Sequence, residues 1–97
     1  MKERLDIIQE RYNFLCDELL KPEIYEDYKK MQTISKEKNS IEGIVKAYKK
    51  YNQVIQDILA AKEMSHDEEM REFALEELDR LSKTKVELEN KLKVMLL

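Results

Sequence analysis

AAKEMSHDEEMREFALEEL, residues 60–78, decides how this chain folds. On either side, apolar side chains recur at helical spacing. Here the pattern stops at Met64, crosses Ser65, His66 and Asp67, and resumes. Ser65 has the chemistry of an N-cap, and Glu68 three residues later would complete a capping box. Asp67, Glu68 and Glu69 then fall in a first turn, where carboxylates meet the positive end of the helix dipole. The stretch predicts a short connection at 64–67 between two helices, the second starting at about residue 66.

Downstream, Ala74, Leu78, Leu81, Lys85, Leu88, Leu92 and Met95 keep a heptad seam to about residue 96, interrupted only by Lys85. Upstream, Tyr28, Met31, Ile34, Ile41, Val45, Tyr48, Ile55 and Leu59 draw the stripe of a helix over about 26–63. Ile44, Tyr51 and Ile58 widen it, and a stripe wider than a coiled-coil seam predicts two neighbours. Gly43 costs this helix about 1 kcal/mol relative to alanine, yet an unbroken helix is expected. Leu5, Ile8, Tyr12, Leu15 and Leu19 predict a helix over about 2–20. Lys21-Pro22 ends it, because proline lacks an amide donor and restricts the residue before it.

The expected fold is all-α. A long antiparallel helical hairpin (about 26–63 and 66–96) carries a shorter N-terminal helix (about 2–20) on its base, giving a three-helix bundle. The hairpin helices should each be roughly 50 Å long and the first roughly 30 Å. The first helix is then too short to reach the turn, and the tip is left as a two-helix coiled coil.

Composition agrees. Charged residues make up 40% of the 97 residues, with one Gly and one Pro, too few for many turns. The net charge of −3 does not suit wholesale nucleic-acid binding but allows local patches. Cys16 is alone and cannot form an internal disulfide. No apolar run approaches the roughly 20 residues needed to span a bilayer. A soluble cytoplasmic protein with no membrane contact is expected.

No glycine-rich phosphate loop or metal-ligand spacing occurs, so neither metal nor cofactor is expected. His66 sits on a turn without a pocket or an orienting partner, which suits a solvated side chain better than a general base. The chain by itself is expected not to be an enzyme. Lysines 29, 30, 36, 38, 46, 49 and 50 gather on the second helix, where a solvated face competes with a contact to phosphates. Lys46, Lys49 and Lys50 are the candidates for such a contact. Residues 67–79 hold seven carboxylates and one arginine, which would repel nucleic acid and suit a basic protein surface. Glu69, Met70, Glu72, Phe73 and Glu76 are the candidate partner-binding residues. Met64, Met70 and Phe73 either fill the seam or leave an apolar contact surface at the tip.

The stretch ERYNFLCDELLKPEIYEDYKKMQTISKEKNSIE (Glu10–Glu42) resembles the N-terminal region of bacterial class I peptide chain release factors. The likeness rests on Tyr12, the Leu19-Leu20 to Pro22-Glu23 exit, and Ser35-Lys36-Glu37. Asp67 to Ala74, followed by Glu76-Glu77-Leu78, resembles the "MREMA.EEL" start of the third helix in factors reading UAA and UAG. The ending LENKLKVMLL (Leu88–Leu97) resembles the approach to that family's "LLLP.DP" junction. Gly43 departs from the family, which usually keeps a stronger helix former there.

The resemblance implies an N-terminal domain that docks at the stalk base of the large ribosomal subunit and couples to the GTPase release factor. It implies that the decoding and GGQ domains, which direct nascent-peptide release, are absent. Residues 1–97 would then be a single helical domain cut from a longer protein. The alternative is a stand-alone coiled-coil adaptor that dimerises through its hairpin seam, and even a fragment could self-associate.

Overall fold

The computed structural model describes residues 1–97 and contains three α-helices and no strand. α1 spans Lys2–Leu20, a single 3₁₀ segment spans Pro22–Glu26, α2 spans Tyr28–Met64 and α3 spans Arg71–Met95. The chain forms two compact units, Met1–Lys46 and Ala47–Leu97.

In the first unit, Lys21 ends α1 in an extended conformation (φ −72°, ψ 131°), as the following proline requires. Pro22 opens the 3₁₀ segment, where its missing amide is not needed. Asp27 then caps α2: its Oδ1 accepts from the Lys30 amide at 3.1 Å and its carbonyl from Met31 at 3.0 Å. Leu5, Leu15, Ile24, Ile44 and Val45 are buried.

Two polar ties join α1 to α2. The Arg11 guanidinium donates twice to the Glu37 carboxylate, at 2.6 and 2.8 Å, a fork geometry that fixes orientation as well as distance. The Tyr12 hydroxyl donates to Glu42 at 3.1 Å, and Lys38 lies over the Tyr12 ring. Tyr28, placed on the buried stripe by its spacing, is 68% exposed. It is the first residue of α2, next to the cap, and the helix has not yet been covered there.

In the second unit, α2 and α3 pack through interlocking heptads. On α2 the seam is Ala47, Tyr51, Val54, Ile58 and Ala61; Val54 and Ala61 are buried with Leu81, and Ile58, Leu78 and Leu88 pack around them. Tyr51 donates to Glu89 at 3.1 Å across the pair. The hydrophobic pattern puts the stripe over Ile55 and Leu59, but Leu59 is 52% exposed. The alternation is right and its centre is about a quarter-turn away, on the face of Val54, Ile58 and Ala61 that packs with Leu78, Leu81 and Leu88. On α3, Ala74, Leu81 and Leu92 are buried as expected, whereas Met95 at the frayed end is exposed. α3 has 25 residues, about 37 Å rather than 50, and α2 has 37, about 55 Å.

α2 runs unbroken through Gly43, which is exposed and has no positive φ. No native contact or conformation here requires glycine. Gly43→Ala should therefore raise the free energy of unfolding by about 0.5–1 kcal/mol, read from the urea midpoint at unchanged m-value.

The Tyr12 phenol is pushed up to about 12, first by burial and then by its bonds to Glu42 and Cys16. Its folded value lies above the 10.0 of a free tyrosine. The stabilisation is therefore complete below about pH 10 and lost as pH rises from about 10 to 12. In an ultraviolet titration, Tyr12→Phe should remove part of the late-ionising absorbance and flatten the stability loss over that window.

Candidate functional site

Residues 65–70 turn the chain between α2 and α3. The capping box expected there does not form. Ser65 Oγ donates to the Lys62 carbonyl at 2.6 Å, so the serine finishes α2 instead of starting α3. Asp67 organises the entry: its Oδ1 accepts from the Glu69 amide at 3.0 Å and its carbonyl from the Met70 amide at 3.0 Å. Arg71 Nε donates to the Ser65 carbonyl at 3.1 Å and ties the first residue of α3 back to the end of α2.

The physical reason lies in the donor inventory. An ionised aspartate can only accept, so it takes a free amide. A serine can also donate, and it takes one of the carbonyls left open at the helix end. α3 consequently begins at Arg71, not at 66, and only Glu72 of the acidic cluster lies in its first turn.

This turn sets the exposure of the tip. Met70 is 37% and Phe73 50% exposed, and Leu75 and Leu59 are also open to solvent. Phe73 lines a groove of about 230 Å³ with Met64, Ala60 and Ala61. Of the two fates considered for Met64, Met70 and Phe73, the open apolar surface describes Met70 and Phe73, and Met64 is half-buried.

Glu69, Glu72 and Glu76 are exposed and form no ion pair. Glu77 and Asp79, by contrast, are held by Arg80 at 2.7 Å and Lys83 at 3.1 Å. The candidates thus divide. Glu72 and Glu76 are one turn apart on α3, Glu69 precedes them in the turn, and Phe73 faces the groove. The tip presents free carboxylates beside apolar side chains.

Lys46, Lys49 and Lys50 are exposed on α2 without ion pairs. Lys50 alone of the three reaches a cavity, a groove of about 440 Å³ that also contains Val54, Leu88 and Lys91. Gln53, Asp57, Thr84 and Lys91 were not singled out from the sequence. Their signal was present as a heptad row beside the seam, but it is visible only once the seam is centred on Val54 and Ala61. No three His, Cys, Asp or Glu side chains converge as a metal site, and no helix is long and apolar enough to cross a membrane.

The helical fold and its acidic tip sit within a recognisable class. The PCRF domain family matches residues 8–97, nearly the whole chain, and the chain belongs to that family. Its relatives are bacterial release factors. Peptide chain release factor 1 of a Geobacillus species is 41% identical over 100 residues, covering 100% of this chain and 28% of the relative. The proteins of the same name from a Nitratiruptor species and from Oceanobacillus iheyensis are 40% and 39% identical, again over 100% of this chain and 27% and 28% of their own lengths. The chain therefore spans a little over a quarter of these curated relatives. No solved structure matches it.

The bonds at the turn make a testable ranking. Asp67→Ala should cost about 0.5–1.5 kcal/mol in urea unfolding, the range of one lost side-chain-to-backbone hydrogen bond in the turn. Glu68→Ala should stay within about 0.5 kcal/mol, as an exposed side chain outside any cap does. The opposite order would restore the capping box.

Proposed function

We propose that this chain is the N-terminal ribosome-docking domain of a translation termination factor that directs release of the nascent peptide at UAA and UAG. The observation that carries the proposal is the match of the entire chain to bacterial release factor 1 proteins. The exposed tip supports it, with unpaired Glu69, Glu72 and Glu76 beside Met70 and Phe73. Such a surface suits a basic protein element at the stalk base of the large subunit, because free carboxylates steer and select while apolar side chains supply contact area. The same tip is the proposed receiving surface for the GTPase release factor.

The exposed lysines 46, 49 and 50 are proposed to touch ribosomal RNA phosphates. The chain holds a single glycine, so it contains no Gly-Gly-Gln sequence. On this proposal, stop-codon reading and hydrolysis belong to other domains of the intact factor. The domain works in the cytoplasm, where bacterial ribosomes act, and binds no metal or cofactor.

The experiment is ribosome binding by the intact factor. Reversing Glu69, Glu72 and Glu76 to lysine should weaken binding several-fold and blunt the response to the GTPase. Reversing Lys46, Lys49 and Lys50 should lower the slope of log affinity against log salt by about one for each lysine that touches a phosphate. Wild-type affinity in both variants would remove the docking role. Sedimentation of the 97-residue chain separates the rival: a tight dimer at micromolar concentration would favour a stand-alone coiled-coil adaptor.

A further inference from the structure

Two grooves lie on the packed second half of α2 and α3. The larger, about 440 Å³, contains Val54 and Leu88; the smaller, about 230 Å³, contains Ala61 and Leu81. Their linings are related by the heptad. On α2, Lys50 and Asp57 are seven residues apart, and so are Gln53 and Ala60, and Val54 and Ala61. On α3, Glu77 and Thr84, Arg80 and Glu87, and Leu81 and Leu88 repeat the relation. Seven residues return to nearly the same face of a helix, within about 20°, after about 10 Å of rise. The grooves are therefore two stations of one strip beside the seam.

The stations differ in charge. Lys50 and Lys91 flank the larger groove and neither forms an ion pair; Glu87 is the one acid there. Asp57 and Glu77 flank the smaller one. Arg80 is engaged with Glu77, and Asp57 accepts only an amide hydrogen bond from Gln53 at 2.9 Å. The strip is positive at one end and negative at the end nearer the turn.

We infer that this strip docks an amphipathic helix of a partner protein. The helix carries two aliphatic side chains seven residues apart, carboxylates at the end over Lys50 and Lys91, and a lysine or arginine over Asp57. The spacing selects a helix. In an extended peptide, about 10 Å is three residues, and residues three apart point to opposite faces. The same residues argue against single-stranded RNA: the larger groove has no aromatic or guanidinium platform for a base, and Asp57 and Glu77 repel phosphate. The strip uses none of Glu69, Glu72 and Glu76, but it shares Phe73 and Lys50 with the surfaces proposed to face the ribosome, so the test is run on the chain alone.

The test uses the 97-residue chain and a synthetic stapled helical peptide with two leucines seven apart, glutamates at one end and lysines at the other. Its affinity is measured by fluorescence anisotropy and its position by ¹⁵N shift mapping. Shifts are expected at Lys50, Val54, Asp57 and Ala61. Lys50→Glu with Lys91→Glu should weaken binding about tenfold, and an all-lysine version of the peptide should regain affinity for that variant. Ala60→Trp, at an exposed position that the smaller groove occupies, should weaken the original peptide at unchanged helicity. A peptide with its leucines five apart should bind about tenfold more weakly.

Absence of saturable binding, or shifts confined to Ile55, Leu59 and Val86 on the other flank, would overturn the inference. Displacement of the peptide by an oligouridylate would overturn it in favour of RNA. Self-association abolished by Ala60→Trp would overturn it in favour of a second copy of the chain.

Discussion

The packing of α2 on α3 within residues 47–92 is the constraint on which the rest depends. Its buried members alternate in size: alanine at 47, 61 and 74, and Val54, Leu81 and Leu92 between or beyond them. Small and larger apolar side chains together make up the buried contact. Steps of three and four on both helices keep these residues facing one another turn after turn. A seam this narrow buries little surface per residue. It leaves the flanks, the turn and the grooves open, and those are the features available for contact.

Charge is arranged around that seam so that it does not oppose folding. Of the carboxylates in residues 67–79, Glu77 and Asp79 are paired within α3, while Glu69, Glu72 and Glu76 remain free. Exposed pairs one turn apart contribute little to stability. Free carboxylates at a water-facing turn cost little either. The tip can thus keep an acidic surface next to Met70 and Phe73 without a core to support it. In the first unit the polar ties serve a different end. The Arg11–Glu37 fork and the Tyr12–Glu42 bond define how α1 lies on α2, and the depressed Glu37 carboxylate reflects its bond to Arg11.

Much of this was legible in the residues. Pro22 marked the end of α1, and the seven-residue repeat of α3 was read correctly from Ala74 to Leu92. Membership of the release factor family was legible in the order of short motifs across the whole chain. The centre of the α2 seam was not. Ile55 and Leu59 are more hydrophobic than Ala47 and Ala61, so hydrophobicity alone pulls the stripe toward them. The turn was misjudged for a related reason. Ser65, Asp67 and Glu68 all have capping chemistry, and their order in sequence does not say which of them meets a carbonyl and which an amide. The exposure of the candidate tip residues was legible from charge and spacing, whereas the grooves beside the seam were not, because most of their residues are individually unremarked.

By itself, the sequence determined that the chain is helical, where α1 stops, that a turn follows Met64, and which family the chain belongs to. These follow from local rules: helical periodicity, the chemistry of proline, and the succession of short motifs. Tertiary structure alone decided that Ala47, Val54 and Ala61 rather than Leu59 join the buried face of α2, that Ser65 closes one helix while Asp67 orders the turn before the next, and that two heptad-related grooves of opposite charge share a strip. Each of those is a choice between alternatives of similar local energy. Only the neighbouring helix, by the space it leaves and the backbone groups it presents, makes one of them lower.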